Sequence, residues 1–516
     1  MKKRSSPAPA RDAKRPAVSF SQIPEQAPLA APPRRRLVPL TVAFIAGWSI
    51  MQIEILGGRV LAPYFGYSIY QWGALIGVVM TALAIGYALG GRVGDRPSAR
   101  RFLPAALAVA MIYAGLIPLI ADALLPYLRA LGAAWGAVAA SVVLLGIPSL
   151  LLATTSPIVV RLTATDRIAA AAGGVYAIST AGSIAGTFFT AFLVIPEIGT
   201  RFGHYLCSGL IAVAIVLLLV QARRWRGLPL TAVALALVYP WPQNLAPEIV
   251  YRAESIHNII EVHDHPTVRG LYLNYTSGVQ TLEVKGAILT GEYFDLFLIG
   301  PHLRGGRKVL MLGAAGGVAM KQIAAVFPDS EITGVDLDPA VVRVARDYFG
   351  LKDQPRIKLV AEDARWFLAR TTERYDVIAV DLYVTGTIPF FTATTEFFAL
   401  ARERMTDRGV LLVNVLSRRR GEEHIEPFVR TLQVVFPSVY AASFGNYLLI
   451  ATRERTEFAA LKARLEQPVT DPSLEHVRTR VLGTFREAYA ATTARPFTDD
   501  LNDVEIRSYE LNYGRD

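Results

Sequence analysis

Cysteine is nearly absent from this chain of 516 residues, with Cys207 the single thiol. One thiol excludes an intramolecular disulfide and any metal site built on two thiolates, and it leaves the redox compartment unconstrained. Histidine is scarce as well, with seven in all. His257, His263, His265 and His302 form no pair at the spacing that puts two imidazoles on one helix face, so no metal site is expected. Charge is thin across 37–245, which holds twelve Arg, no Lys and five acids, whereas 246–516 holds 32 basic and 36 acidic residues. The net charge of +10 therefore resides in residues 1–36, with nine Lys/Arg against Asp12 and Glu25, and in the loops between apolar runs. A groove for nucleic acid needs its positive charge on the folded domain that forms it, so nucleic acid is excluded as a partner.

What the chain has in abundance is apolar length: 52% of its residues are hydrophobic and its mean hydropathy is +0.35. Uncharged runs span Leu37–Ile53, Val60–Gly91, Phe102–Ala121, Ala130–Val160, Ile168–Pro196, Phe202–Ala222 and Gly227–Pro247. A bilayer core of ~30 Å needs about 20 apolar helical residues. The runs predict a multi-pass domain over 37–245, partnered by the lipid bilayer of the cell (inner) membrane. About seven helices are expected, near 37–56, 70–90, 102–125, 134–157, 173–195, 204–221 and 228–243. Pro229, Pro240 and Pro242 shorten the last. Clusters at Arg34–Arg36, Arg92/Arg96/Arg100/Arg101, Arg161/Arg167 and Arg223/Arg224/Arg226 alternate as cytoplasmic loops do, with the N-terminus inside. The Pro-rich, basic stretch 1–36 shows no small-residue cleavage site after a short apolar core and reads as a disordered cytoplasmic tail. Seven full crossings would place 246–516 outside, away from the usual nucleoside supply; either the seventh segment does not cross, or another is miscounted, or the domain is extracytoplasmic, and a cytoplasmic domain is the expectation. Glu54 and Arg59 are charges at membrane depth and hence functional candidates. Asp95, beside several arginines at a helix end, can lock neighbouring helices.

From Glu248 the texture changes. Short β-rich pieces at 258–263, 269–275 and 278–284 are divided by turn residues such as His265-Pro266 and Ser277-Gly278. Strands then alternate with helices: strands near 308–312, 331–336, 356–360, 375–381 and 409–415, helices near 318–327, 339–349, 363–370, 394–405 and 422–436. That order predicts a mainly parallel sheet with helices on both faces, finished by strands at 438–443 and 446–452. The domains so drawn are a small antiparallel β region (246–300), an α/β unit (301–455) and a C-terminal helical extension (456–516).

The chemistry is concentrated at strand ends. Lys308-Val-Leu-Met-Leu-Gly-Ala-Ala-Gly-Gly317 is an apolar strand running into a glycine turn, and Glu331-Ile-Thr-Gly-Val-Asp336 is a second strand ending in a carboxylate. Ligands of open parallel sheets bind beyond the carboxyl ends of the strands. Gly313 to Gly317, Asp336, Glu362-Asp363 and Asp381 follow four consecutive strands and should converge there. Gly313 and Gly316 permit close backbone approach to a ligand, and Asp336 can accept both ribose hydroxyls. The turn is not G-x-G-x-x-G and no basic residue stands by for a pyrophosphate, so a nucleoside without phosphates, S-adenosylmethionine or a relative, fits better than a dinucleotide.

Residues 258–452 resemble the spermidine synthase (polyamine aminopropyltransferase) family, and the apolar half resembles the multi-pass extension of some bacterial members. The resemblance implies an S-adenosylmethionine-methyltransferase-like (Rossmann-like) domain. It also implies aminopropyl transfer from decarboxylated S-adenosylmethionine, a co-substrate, to an amine acceptor in polyamine biosynthesis. No prosthetic group is implied, and a homodimer is compatible. Gln280, in Ser277-Gly-Val-Gln280, matches the family's glutamine at the nucleoside. Asp336 stands in for its ribose-binding Glu, Asp363 matches the acid at the adenine amino group, and Pro389 falls beside the adenine. The Tyr-His-Glu motif reads Tyr293-Phe294-Asp295, which puts Tyr293 and Asp295 on the acceptor side. Asp381, in Ile378-Ala-Val-Asp381, matches the catalytic aspartate. Val384, Gly316 and Phe294 replace polar or acidic groups that would hold putrescine. Those departures imply an acceptor that is less cationic or presented from the membrane side. A methyltransferase, and a transporter or sensor with a non-catalytic nucleoside- or polyamine-binding domain, stay open. Phe497-Thr498-Asp499-Asp500 reads as a turn or helix cap.

Overall fold

The computed structural model describes residues 37–513 apart from 67–68, 165–166, 226, 238–245, 275–277, 306, 385 and 417–424. The basic stretch 1–36 thus lies outside the described residues. A helical bundle comes first: α1 (Leu37–Phe65), α2 (Ile69–Gly94), α3 (Ala99–Leu128), α4 (Ala133–Thr163), α5 (Ile168–Gln221) and the short α6 (Gly227–Leu237). The first five are long and apolar enough to cross a membrane. At 1.5 Å per residue the 54 residues of α5 exceed a single crossing. The chain breaks there at Gly199 (φ 79°, ψ 172°), a conformation open to glycine, and α5 becomes two arms. Of the seventh apolar run, 11 residues form α6 and 238–245 lie outside the described residues.

Burial in the bundle does not sort apolar from polar side chains. Its interior is packed with small and aliphatic side chains such as Ala43, Ala110, Ala140 and Leu145, all fully buried. Its outer surface carries large apolar groups, among them Met80, Phe192 and Leu230 at 61%, 68% and 72% exposed. An apolar exterior of this extent marks a surface that contacts lipid or protein.

The second part begins with an antiparallel four-stranded sheet in the order β1 (Ile249–Glu254), β2 (Ile259–Asp264), β3 (Val268–Leu273), β4 (Thr281–Val284). Strand β1 lies outside the three β-rich pieces picked out in the sequence. The larger sheet has eight strands, ordered β12-β10-β11-β9-β8-β5-β6-β7. Five of them are parallel: β7 (Ile357–Ala361), β6 (Glu331–Asp336), β5 (Lys308–Leu312), β8 (Tyr375–Val380) and β9 (Met405–Val415). The antiparallel hairpin β10 (Ser438–Phe444) and β11 (Asn446–Thr452) extends it, and β12 (Arg486–Glu487) closes the edge. Val309 to Leu312 of β5 are all buried, as expected of a central strand covered on both faces.

Two apolar layers flank the sheet. Helices Val318–Val326 and Pro339–Tyr348 cover one face, and Ala364–Arg370, Thr395–Glu403 and Glu426–Val435 cover the other. Three helix starts are capped by side chains that the strand-end loops supply: Asp338 accepts from Ala340 N, Asp363 from Trp366 N and Thr394 from Phe397 N. The segment after 454 is helical at Phe458–Leu465, Pro472–Leu482 and Val504–Tyr513, but it also supplies β12.

The two parts meet at one end of the bundle. Arg59 near the end of α1 donates to the carbonyls of Ser255 (2.7 Å) and Ile256 (2.9 Å) and lies 3.8 Å from Glu254. Thr200, just past the Gly199 break, donates its N–H to the same Glu254 carboxylate (2.9 Å). Arg59, a charge at membrane depth in the sequence, is thus a docking residue.

Candidate active site

The parallel strand order reverses between β5 and β8, where β6 lies on one side and β9 on the other. A crevice opens at such a switch point beyond the strand ends. Gly313, directly after β5, has φ 89°, and a Cβ there would stand 2.0 Å from the carbonyl oxygen of Asp381, directly after β8. Only glycine lets these two strand ends close on each other.

Beyond them lies a cavity of about 860 Å³. Gln280, Tyr293, Gly313, Asp336, Asp363, Asp381 and Pro389 all line it, so seven of the residues picked out in the sequence come together. Asp336 accepts from Ala315 N (2.9 Å) and Asp338 N (3.0 Å), which orients its carboxylate into the cavity. Enclosure pushes its carboxyl up to about 6, against the pull of those two N–H donors. Asp363 uses Oδ1 as the helix cap and lines the cavity from the next strand end.

Asp381 is held from two sides. Asn414 Nδ2 donates to Oδ1 (2.8 Å) and the Tyr293 hydroxyl donates to Oδ2 (3.2 Å). Enclosure pushes this carboxyl up to about 6 as well, while the two donors restrain the rise. Burial, with the Asp381 charge beside it, raises the Tyr293 phenol well above its ordinary value, so it stays a neutral donor. Asn414 is itself fixed, because Asn446 Nδ2 donates to its Oδ1 (2.9 Å) and the Tyr383 hydroxyl donates to its carbonyl (3.2 Å). The result is an oriented carboxylate, more basic than an ordinary aspartate, facing the same space as Asp336.

Two of the chosen residues stand elsewhere. Asp295 is 4% exposed and absent from the cavity lining. Its carboxylate accepts from Thr290 N, Thr290 Oγ1, Gly291 N and Gln322 Nε2, so it folds its own turn rather than facing an acceptor. Gly316 is buried behind the turn, donating to Thr281 Oγ1 (2.8 Å), and a Cβ there would come 2.7 Å from Thr281 Cγ2. It ties the glycine turn to β4 without lining the cavity. Phe294, at the family's histidine position, is buried in the core. Glu362 turns to Arg370 (2.6 Å).

The lining also includes Arg59, picked out in the sequence only as a charge at membrane depth, and groups not assigned to the site there: His257, Glu292, Tyr383, Asn414 and Glu505. Asn414 carried a faint signal, a polar residue inside the apolar run Leu411-Leu-Val-Asn-Val415. Glu505 arrives from the last helix, whose Ser508 also accepts from Ile388 N in the loop before Pro389 (3.1 Å). Asp499 pairs with Arg365 (2.8 Å) and accepts from Thr394 Oγ1 (2.9 Å), which anchors the segment leading to that helix.

Residues 299–446 match the profile of the spermine/spermidine synthase domain. The chain is similar to the probable polyamine aminopropyl transferase of Bifidobacterium longum, 36% identical over 199 residues that cover 38% of this chain and 43% of that protein. It is also similar to the polyamine aminopropyltransferase of Vibrio vulnificus (26% identical, 34% of this chain and 62% of that protein). These stretches thus span less than two thirds of either relative. Polyamine aminopropyltransferase 1 of Streptomyces coelicolor is 24% identical over 394 residues, 68% of this chain and 72% of that protein. That match is longer than 246–516 and so reaches into the helical bundle. Among solved structures, a probable spermidine synthase from Corynebacterium glutamicum covers 51% of this chain and 98% of its own, with a TM-score of 0.40 and 18% identity.

Proposed function

We propose that this protein is a membrane-anchored aminopropyltransferase of the spermidine synthase type, taking decarboxylated S-adenosylmethionine as donor and an amine as acceptor. The observation that carries the reading is the placement of Asp381. Its carboxylate is oriented by Asn414 and Tyr293 and faces the cavity that Asp336 and Asp363 share.

In this reading Asp336 accepts the ribose hydroxyls and Asp363 meets the adenine amino group. Gln280 and Pro389 flank the nucleoside. The amine nitrogen attacks the aminopropyl carbon attached to the sulfonium, a C–N bond forms, and the C–S bond breaks with its electron pair on sulfur. The donor leaves as a neutral thioether nucleoside. Asp381 takes the proton that the amine must shed, as a positioned general base. The five long apolar helices with their apolar exterior support anchoring in a bilayer.

The acceptor side differs from a site built for putrescine. Val384 lines the cavity where a second acid was expected, while Asp295 and Gly316 take no part in the lining. The carboxylates Glu292 and Glu505 reach the same cavity from other segments. That distribution supports an acceptor less cationic than putrescine, or one presented from the membrane side. The test is turnover by the purified full chain with decarboxylated S-adenosylmethionine against putrescine and a series of monoamines and diamines, with ordinary S-adenosylmethionine in parallel. Aminopropyl product that disappears in Asp381→Asn supports the reading. Methyl transfer from the ordinary nucleoside, or binding without any product, replaces it.

A further inference from the structure

The two ends of the helical bundle are electrically unlike, and the α/β domain sits on only one of them. Contacts between helices define the ends. Asp95, in the turn after α2, pairs with Arg161 near the end of α4 at 3.3 Å. The end of α2, the start of α3 and the end of α4 therefore lie together. Gln52 donates to the carbonyl of Gly203 (3.0 Å) and Cys207 reaches that of Ser49 (3.8 Å), so the second arm of α5 runs antiparallel to α1 and finishes beside α1's start. At the opposite end, Arg201 pairs with Asp122 of α3 at 2.5 Å, and Gly136 of α4 abuts Phe65, the last residue of α1.

Among the described residues, the first end carries Arg92, Arg96, Arg100 and Arg101, then Arg161 and Arg167, then Arg223 and Arg224, against the single acid Asp95. The sequence adds Arg34–Arg36 directly before α1 and Arg226 after α5, against one further acid, Asp166, between α4 and α5. The opposite half carries Arg59, Arg129 and Arg201 against Glu54, Asp122 and Glu197, three cations to three anions. The α/β domain docks on this balanced end: Arg59 holds Ser255 and Ile256, Thr200 holds Glu254, and Gly66 after α1 lies against Thr387 of the cavity loop.

Loops rich in Arg and Lys remain in the cytoplasm, because the cationic side is retained during insertion. We infer that the α/β domain and its nucleoside cavity face the exoplasmic side of the membrane, seated against the bundle at the level of the lipid headgroups. The chain has the length to return there after α5. The 11 residues of α6 rise ~16 Å as helix. The uncharged run Gly227–Pro247 that contains α6 has 21 residues, the number that a crossing of a ~30 Å core needs. The expectation of a cytoplasmic domain rested on where nucleosides are made, whereas the charge division and the docking contacts bear on the side itself. The acceptor would then be an amine met outside the cytoplasm, and the donor would have to be delivered across the membrane. The inference rests on the membrane half of the proposed function and is independent of its transfer chemistry.

Cysteine scanning of the full chain tests it, since Cys207 is wholly buried and leaves a silent background. Lys352→Cys places a thiol at an exposed position of the α/β domain, and Ser98→Cys places one at an exposed position of the arginine-rich turn after α2. With a membrane-impermeant maleimide, Lys352→Cys should label in intact spheroplasts and Ser98→Cys only after detergent. The reverse pattern overturns the inference. Full-length chains fused after residue 516 to alkaline phosphatase, active only outside, or to a fluorescent protein that matures only in the cytoplasm provide a second readout. Phosphatase activity supports the inference and fluorescence overturns it. Fractionation keeps the two readings apart. A chain found in the soluble fraction overturns the membrane reading and this inference with it, whereas a membrane-bound chain with reversed labelling overturns the side alone.

Discussion

The carboxyl rim of the sheet and the wall opposite it are assembled differently. On the rim, Gly313, Asp363 and Asp381 follow their strands within two residues and Asp336 ends its own, so pairing of parallel strands brings them together. The wall draws Arg59 from α1, His257 from the β1–β2 turn, Asn414 from β9 and Glu505 from the last helix. In the proposed reading the rim grips the constant ligand, the nucleoside. A wall gathered from distant segments can be altered piece by piece. Donor recognition should therefore depend on the rim and acceptor choice on the wall, with Asp381 at the junction.

The largest effect expected is on Asp381→Asn. Turnover should fall about 10²–10⁴-fold, the usual contribution of a positioned base, while donor affinity measured by calorimetry stays near that of the parent. Equal losses in both would erase the distinction between rim and wall. Next comes pH. A base must be ionised, and this carboxyl lies at about 6. Single-turnover rates should be level above neutrality and fall roughly tenfold per pH unit below that value. Tyr293→Phe removes a donor that favours the ionised form, so the falling limb should move to higher pH.

Asp336→Asn should weaken donor binding by about 10- to 100-fold, the range for losing hydrogen bonds to a charged group, and leave the ranking of acceptors unchanged. A changed ranking would show that the rim also selects the acceptor. The same variant has a stability signature of defined sign. The folded-state pKa of Asp336 is raised, so its contribution to stability is present below pH ~4 and is lost as pH rises through about 6. Thermal unfolding should find Asp336→Asn more stable than the parent at pH 8, with the gain shrinking toward pH 4. The smallest effect belongs to Arg365→Ala. Its partly exposed pair with Asp499 is worth at most ~1 kcal/mol, visible as a small drop in melting temperature and a modest change in acceptor KM through the Glu505 helix.

How far the site could be read from the sequence follows the same division. Each rim residue was legible because an apolar strand followed by glycine or an acid is a local pattern, and strand pairing turns it into a place. Asp295 misled because a carboxylate in the right motif position was consumed by the N–H groups of its own turn. Glu505 carried no local mark, and Arg59 only that of a charge at membrane depth; neither could be tied to the site, since each lies more than 100 residues from the nearest rim residue in sequence. Strands β1 and β12 were missed for a related reason: each gains its identity from a partner, β2 or β10, rather than from a run of its own.

Apolar run length and the alternation of strands with helices are properties of chain order. They were enough to separate a helical bundle from an α/β domain and to set glycine and carboxylates on one sheet rim. Which end of the bundle receives that domain, and which side chains complete the cavity, depended on packing between segments far apart in the chain. Burial and hydrogen bonding across such distances are settled only when the whole chain has closed, because each group's alternative partner is water until then.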